Sequence, residues 1–390
     1  LSATARMALD QATVVAGAKR HLAMLDASDK RRRLHWGKNL AKGIEKLATL
    51  GKSETVCVLA SGDPLLHGIA VKMIAQLGAD AVTVLPSPSA FSLAASRMGW
   101  SLSDPMLGCL SVHAEPFAAL RRMIQPNVRL LILSRDGSTP KAIAETLSDM
   151  GYPDSPVTVL EHIGGSAEKR TDALASAGFK DTFANLNTVC VDVVAGPEAN
   201  PLSLAPGLSD DAFDHDGTIT KREVRAVTLA ALGPLPGEVL WDVGAGSGTI
   251  AIEWLRVEPR ARAVAFEQDA ERLDAIRRNA EALGVPSLEI VAGFFPASLK
   301  RQRAVPDVIF IGGGVASDSD VLVAAYDALK AGGRLVANAV TLQAQAHLIT
   351  AEQVLGGELV SIGIAKSSKV GTMTALKSAI DVLQWRIRKP

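Results

Sequence analysis

The sequence predicts an α/β protein of two domains with mainly parallel sheets, and three observations carry that reading. Short β-branched runs alternate with amphipathic helical stretches along all 390 residues. A composition of 48 % hydrophobic and 21 % charged residues is that of an ordinary globular chain, and the length suits roughly two to three domains. Between Val194 and Asp211 the periodicity gives way to Gly196-Pro197, Pro201, Pro206-Gly207 and serines, the composition of a linker. The domains are therefore drawn at residues 1–195 and 213–390, with the linker at 196–212.

In the first domain strands are predicted at residues 13–16, 55–60, 81–85, 128–133, 157–161 and 187–194, with helices at 65–77 and 140–150 among them. The second helix carries its own punctuation: Thr139 can cap free amides, Pro140 suits the first helical position, and Gly151 follows the last turn. In the second domain Thr220-x-x-Glu223 reads as a capping box opening a helix up to Leu232, which Gly233-Pro234 ends. A strand at 238–243, a glycine turn, a helix at 249–256, a strand at 261–267 and a helix at 270–283 form a β-α-β-α unit. Strands at 288–292, 308–311 and 334–338 follow, and the tail from Glu358 is β-rich.

Lys+Arg 41 against Asp+Glu 41 leaves no general basic field to condense on nucleic acid or an acidic membrane. The longest charge-free stretches, 81–96 and 335–351, are broken by Pro86 and Pro88 and by Gln343, Gln345 and His347, so neither suits a bilayer. Cys57, Cys109 and Cys190 lie far apart in apolar runs and read as small core residues of a reducing compartment. The seven histidines form no H-x-x-x-H or Cys/His cluster, so no metal site is expected. The chain begins at Leu1 without methionine and without a signal-peptide pattern, which points to a cytoplasmic protein whose natural start lies upstream.

The strongest chemical signal is Asp242-Val243-Gly244-Ala245-Gly246-Ser247-Gly248-Thr249 at a strand-to-helix junction. Glycines there let the backbone turn tightly and approach a ligand, and the helix amides behind them offer positive potential. A dinucleotide fingerprint asks for G-x-G-x-x-G, but here Thr249 holds the place of the third glycine. An acidic residue directly before the turn faces a diphosphate badly and suits an ammonium or sulfonium ligand, which disfavours a nicotinamide-dependent dehydrogenase. The D-x-G-x-G-x-G spacing resembles the first motif of the Rossmann-like S-adenosylmethionine methyltransferases. That resemblance implies that Asp242, Gly244, Ala245, Gly246, Ser247 and Gly248 line the cofactor site. It also implies that Glu267 accepts from the ribose diol, that Phe294 and Phe295 flank the adenine, and that Phe310-Ile311-Gly312-Gly313-Gly314 borders the acceptor.

The first half carries Ser61-Gly62-Asp63-Pro64, which on its own asks only for a tight turn. Read with 85–90, 133–140 and 160–165, it is similar to the tetrapyrrole methylases, a distinct class of S-adenosylmethionine methyltransferase with two α/β lobes. The resemblance implies that Gly62, Asp63 and Ser89 border a cofactor cleft. Members of that family begin with a strand and a Gly-x-Gly loop, and this chain starts in what should be the helix after it, at residues 1–10.

The two signatures in this order resemble the fused, decarboxylating precorrin-6Y C5,15-methyltransferase family of cobalamin biosynthesis, with Thr220-Lys221-Arg222-Glu223-Val224-Arg225 matching its second half. The resemblance implies methylation of C5 and C15 and loss of the C12 acetate carboxyl, with Thr220 also at the cofactor. No Ser/His/Asp or Cys/His arrangement is evident, and none is needed for an in-line methyl transfer. The conjugated macrocycle can serve as electron sink, so neither pyridoxal phosphate nor a metal is invoked. A substrate with many carboxylates calls for basic anchors. Lys221, Glu223 and Arg225 are the candidate catalytic residues, Lys221, Arg222 and Arg225 serving as anchors and Glu223 also as the capping partner of Thr220. Arg225→Ala is then expected to weaken tetrapyrrole binding and spare S-adenosylmethionine. A cobalt-bearing macrocycle or another small-molecule acceptor stays open, RNA is disfavoured, and a carrier without activity leaves two cofactor-type turns unexplained. Relatives of both halves self-associate, so a homo-oligomer is expected.

Overall fold

The computed structural model describes residues 1–37, 39–298, 304–312 and 320–390. Gly313 and Gly314 of the predicted acceptor loop lie outside the described residues. The chain divides into two compact units, Leu1–Glu115 with Pro126–Ala199, and Pro116–Gln125 with Asn200–Pro390. No sequence signal marks the assignment of 116–125 to the second unit.

In the first unit β1 (Val14–Gly17), β2 (Arg32–His35) and β3 (Val56–Val58) form a parallel sheet in the order β2-β1-β3. The helix Ala3–Gln11 precedes β1, as expected. Val14 and Ala16 pack with Leu34 and Leu47 on one face, while Val15 packs with Leu9 and Ala12 on the other. This two-sided burial is why β1 reads as a continuous apolar run.

A second sheet contains β4 (Leu107–Ser111), β5 (Arg129–Leu133), β6 (Pro156–Glu161), β7 (Lys169–Leu174) and β8 (Asn187–Asp192), ordered β4-β5-β8-β6-β7. The helix Ala90–Met98 sets Phe91, Ala94 and Ala95 on Leu131, Leu160 and Cys190 of its central strands.

Several expectations are corrected here. Residues 82–88 form no strand: Pro86 and Pro88 lack ladder donors, and β3 closes its sheet without a further partner among the described residues. β2, β4 and β7 have polar or exposed faces and gave no apolar run. Thr139 does not cap the helix Thr139–Asp149; it is its first residue, and its hydroxyl accepts from the amides of Arg135 and Asp136. Cys109 is exposed rather than buried.

In the second unit β9 (Val239–Val243), β10 (Arg262–Glu267), β11 (Glu289–Ala292), β12 (Val308–Ile311), β13 (Arg334–Ala339), β14 (Glu358–Ile362) and β17 (Val382–Arg388) build a seven-stranded sheet. β15 (Ala365–Val370) and β16 (Met373–Ser378) pair separately as an antiparallel hairpin. The sheet order is β11-β10-β9-β12-β13-β17-β14, parallel except for β17, which runs antiparallel to both of its neighbours. Leu240 and Phe310 face the core under the helix Thr249–Val257, while Trp241, Val243, Ile309 and Ile311 face the opposite core. The order reverses between β9 and β12, and in open α/β sheets the crevice at such a reversal is where ligands bind. The helix Arg222–Leu232 begins after Lys221 without any side-chain cap, so the predicted Thr220/Glu223 capping box is not formed.

Candidate functional site

The chain leaves β9 at the reversal point through Gly244 (φ 71°), Ala245, Gly246 (φ 58°), Ser247 and Gly248 (φ 78°). These left-handed angles cost a residue with a Cβ roughly 1–2 kcal/mol each, so the turn is open only to glycine-rich sequences. A Cβ built on Gly246 would find only the Thr218 carbonyl, at 4.0 Å, so the crest of the loop stands open. Gly248 caps the helix Thr249–Val257 and has no side chain to offer its amides. Asp242 does so from the strand: its Oδ2 accepts from the Ala251 amide at 3.0 Å. Its Oδ1 is buried without a partner among the described residues. Burial, outweighing the Ala251 hydrogen bond and reinforced by the negative charge of Glu267, pushes the Asp242 carboxyl up to about 7.

Glu267, at the end of β10, accepts from the amides of Gly246 (2.8 Å), Gln268 (2.8 Å) and Asp269 (3.0 Å) and thereby holds the loop. Asn279 joins the same loop to the segment before it, donating to the Ser247 carbonyl at 3.0 Å and to the Asp214 carbonyl at 2.9 Å. Phe294 is 42 % exposed, whereas Phe295 is buried. Phe295 stacks edge to face with Trp241 and Phe266, so it belongs to the core and not to an adenine pocket.

The candidate catalytic residues separate. Arg225 is 0 % exposed. It donates to Glu253 at 2.6 Å, to Asp210 at 3.1 Å, and to the carbonyls of Thr220 (2.5 Å) and Leu208. Its guanidinium also lies 4.9 Å from the Phe213 ring centroid. Glu253 in turn accepts from the amides of Gly207 and Leu208 at 2.6 and 3.0 Å. Arg225 therefore clamps the strap 207–220 to the domain with its side chain wholly enclosed, which corrects its expected role as an anchor. Thr220 enters that clamp through its carbonyl. Lys221 is exposed, 3.8 Å from Asp210. Glu223 pairs at 2.9 Å with Lys366 of the β15–β16 hairpin, and that hydrogen bond holds its carboxyl below the ordinary range.

In the first unit Gly62 adopts φ 60°, and a Cβ there would lie 3.5 Å from Ser89 Cα. The fold thus brings together two turns that are distant in sequence. Asp63 Oδ1 accepts from the Leu65 amide at 2.8 Å, and Ser89 caps the helix Ala90–Met98 by accepting from Ser92. Beside this turn lies a group that sequence reasoning missed. His21 Nε2 is 2.7 Å from Ser61 Oγ, and Arg20 donates to Ser61 Oγ at 3.0 Å and to His21 Nε2 at 3.3 Å. The absence of a Ser/His arrangement in the sequence reflected only the separation of forty positions between the partners.

A sheet that reverses beside a D-x-G-x-G-x-G loop, fused to a domain built around a Gly-Asp-Pro turn, defines a two-domain α/β methyltransferase. Residues 1–177 match the family model of tetrapyrrole (corrin/porphyrin) methylases, and residues 211–389 match that of the precorrin methyltransferase domain. The chain is 42 % identical over 381 residues to the precorrin-6Y C(5,15)-methyltransferase [decarboxylating] of a Sinorhizobium sp, covering 98 % of this chain and 91 % of that protein. It is 43 % identical over 389 residues to the protein of the same name from Mycobacterium tuberculosis (strain ATCC 25618 / H37Rv), covering 100 % of this chain and 96 % of the relative. The crystal structure of the C-terminal domain of precorrin-6Y C5,15-methyltransferase from Rhodobacter capsulatus shows 38 % identity and a TM-score of 0.45, covering 48 % of this chain and 100 % of that one. The chain belongs to the precorrin-6Y C(5,15)-methyltransferase [decarboxylating] family.

Proposed function

We propose that the protein methylates precorrin-6Y (as precorrin-6B) at C5 and C15 and removes the C12 acetate carboxyl, giving precorrin-8, with S-adenosylmethionine as donor. Residues 1–195 take the C5 transfer, and residues 213–390 take the C15 transfer and the decarboxylation. The observation that carries this reading is the open glycine loop at the β9/β12 reversal, flanked by two buried carboxyls.

The residues present fit the donor. The loop crest has room above Gly246, and the partnerless Asp242 Oδ1 is the kind of acceptor that an ammonium group satisfies. Gly244, Ala245, Gly246, Ser247 and Gly248 would hold the donor, with Glu267 accepting from ribose hydroxyls, Thr220 beside the loop and the exposed Phe294 against the base. Gly62, Asp63 and Ser89 would border the donor in the first domain. Bound there, S-adenosylmethionine supplies an electrophilic sulfonium methyl group.

What the protein adds is position and charge. The strap and loop fix the approach line, which is the main requirement of an in-line transfer. Lys221 and Arg222, both exposed at the start of the helix, are the basic anchors left for substrate carboxylates once Arg225 is committed to the interior. Glu223, tied to Lys366, orients the hairpin next to those anchors. The electron pair released with carbon dioxide enters the conjugated macrocycle, so no residue need store it, and the CH2 left on C12 becomes a methyl group by taking up a proton from water. We infer a small-molecule enzyme of the cytoplasm, and its zero net charge offers no general field to nucleic acid or an acidic membrane.

The test is calorimetric titration of S-adenosylhomocysteine, the demethylated donor, into the full chain and into Gly246→Arg, with mass spectrometry of the product from precorrin-6B. Two sites, one surviving Gly246→Arg, and a product with two added methyl groups and one carbon dioxide lost support the reading. Binding of NADH in place of the adenosyl compound overturns it.

A further inference from the structure

Each methyl group placed on a ring-bridging carbon replaces a hydrogen, so each transfer releases one proton that some base has to accept. Beside the loop of the second unit Glu267 holds backbone amides and the free oxygen of Asp242 is assigned to the donor, whereas the first unit carries a polar group with no such commitment. Arg20 has only donors. Its Nε points at His21 Nε2 at 3.3 Å, which makes that nitrogen an acceptor. Its Nη2 donates to Ser61 Oγ at 3.0 Å, leaving the Ser61 hydroxyl hydrogen to His21 Nε2 at 2.7 Å. Ser61 is exposed and directly precedes the Gly62-Asp63-Pro64 turn, while His21 is half-buried on the helix Lys19–Leu22. Gly17 at the end of β1 lets this helix approach closely, since a Cβ there would lie 3.3 Å from His21 Cβ.

We propose that Ser61 and His21 form the proton-accepting pair of the first methyl-transfer site, a role that rests on the function proposed above. As the new carbon–carbon bond forms from a π pair of the macrocycle, the C–H pair of the same carbon returns to the ring. The proton passes to Ser61 Oγ while the Ser61 hydroxyl proton passes to His21 Nε2, leaving neutral serine and an imidazolium that then discharges to water. Arg20 beside the oxygen stabilises the negative charge that develops on Ser61 during the exchange.

The charged group facing His21 is Arg20 on its own helix, and from the strand side the Leu59 carbonyl favours the protonated ring. Burial and the Arg20 charge outweigh that carbonyl and move the imidazole below its ordinary range, so it stands neutral and ready to accept at neutral pH.

The experiment measures C5 and C15 methylation separately on the full chain, by mass and NMR of the product, with wild type, His21→Gln, Ser61→Ala and Ser61→Thr. His21→Gln is expected to slow C5 transfer about 100-fold and abolish the acid limb of its pH profile, with C15 transfer unchanged. Ser61→Ala behaves likewise, and Ser61→Thr restores most of the rate. In parallel, the His21 ring resonance of the wild type titrates below the free-histidine value and shifts in Ser61→Ala. Retention of the acid limb in His21→Gln, or full C5 activity in Ser61→Ala, overturns the proposal while the methyltransferase reading stands. Wild-type enzyme that methylates neither carbon overturns both.

Discussion

The loop at residues 244–248 and the turn at 61–64 both follow a parallel strand and both place glycine at a left-handed angle, yet they are stabilised in opposite ways. Around the second-unit loop nearly every polar side chain is spent on the protein itself. Asp242 caps a helix, Glu267 takes three amides, Asn279 bridges two segments, and Arg225 is fully enclosed with Glu253. Around the first-unit turn, Arg20, the half-buried His21 and the exposed Ser61 bond to one another, and none of these three bonds ties the group to the backbone of the turn. A network committed to the protein's own backbone makes a rigid cradle whose defects appear as lost stability, while one of side chains alone can exchange partners with a ligand, so its defects appear as lost activity.

The largest test of this contrast is Arg225→Ala. It leaves Glu253 charged, buried and without its partner, a loss of about 3–5 kcal/mol. Denaturant unfolding should show that loss, and calorimetry should show adenosyl and tetrapyrrole ligands weakening together. Selective loss of the tetrapyrrole would restore the anchor role that the sequence suggested.

Asp242 offers a sharper version through pH. Its carboxyl is raised in the folded state, from an ordinary 3.8 to about 7, so the folded protein holds a proton that the unfolded chain has released. The resulting stabilisation is complete below about pH 4 and is lost as pH rises through about 7, a change on the order of a few kcal/mol. Urea midpoints of wild type and Asp242→Asn at several pH values in that window should diverge accordingly, the substituted chain lacking the slope. An adenosyl ligand bearing an ammonium group should bind the second site more tightly as pH rises through the same range, because the ionised carboxyl is the better acceptor.

Smaller effects separate the first unit. Gly62→Ala should cost about 1–2 kcal/mol from the left-handed angle alone, read as a lower unfolding midpoint. Ser61→Ala, at an exposed position, should leave stability within about 0.5 kcal/mol of wild type even though it slows C5 transfer. A Ser61→Ala protein that unfolds as readily as Arg225→Ala would erase the distinction between the two networks.

The legible parts of the sequence were those governed by local periodicity and turn chemistry. The second-unit strands emerged because buried parallel strands are continuous apolar runs, and the glycine loop because its angles exclude other residues. β2 and β7 escaped because Arg32, Arg33, Lys169 and Arg170 sit on edge strands with one face in water. Residues 81–85 misled for the converse reason: an apolar run has the right composition but, among the described residues, no neighbouring strand to pair with. At the site, Lys221, Glu223 and Arg225 look alike on a line of text, and only tertiary packing turns one inward and leaves another in solvent. The Thr220/Glu223 box failed because the helix begins one residue later than the box requires, with Lys221 at the cap position, and the Glu223 carboxylate pairs instead with Lys366, far along the chain. His21 and Ser61 were invisible as a pair, although a histidine just after a buried strand that ends in glycine was a signal open to notice.

The position of β17 bears on how the second unit is made. Residues 382–388 lie between β13 and β14, and Trp385 at the centre of the strand is wholly enclosed. During synthesis β13 and β14 emerge first and have no hydrogen-bonding edge to share until that segment arrives. The sheet is thus closed by insertion and not by sequential addition, and a chain cut before Val382 would leave the β13 edge that β17 covers bare.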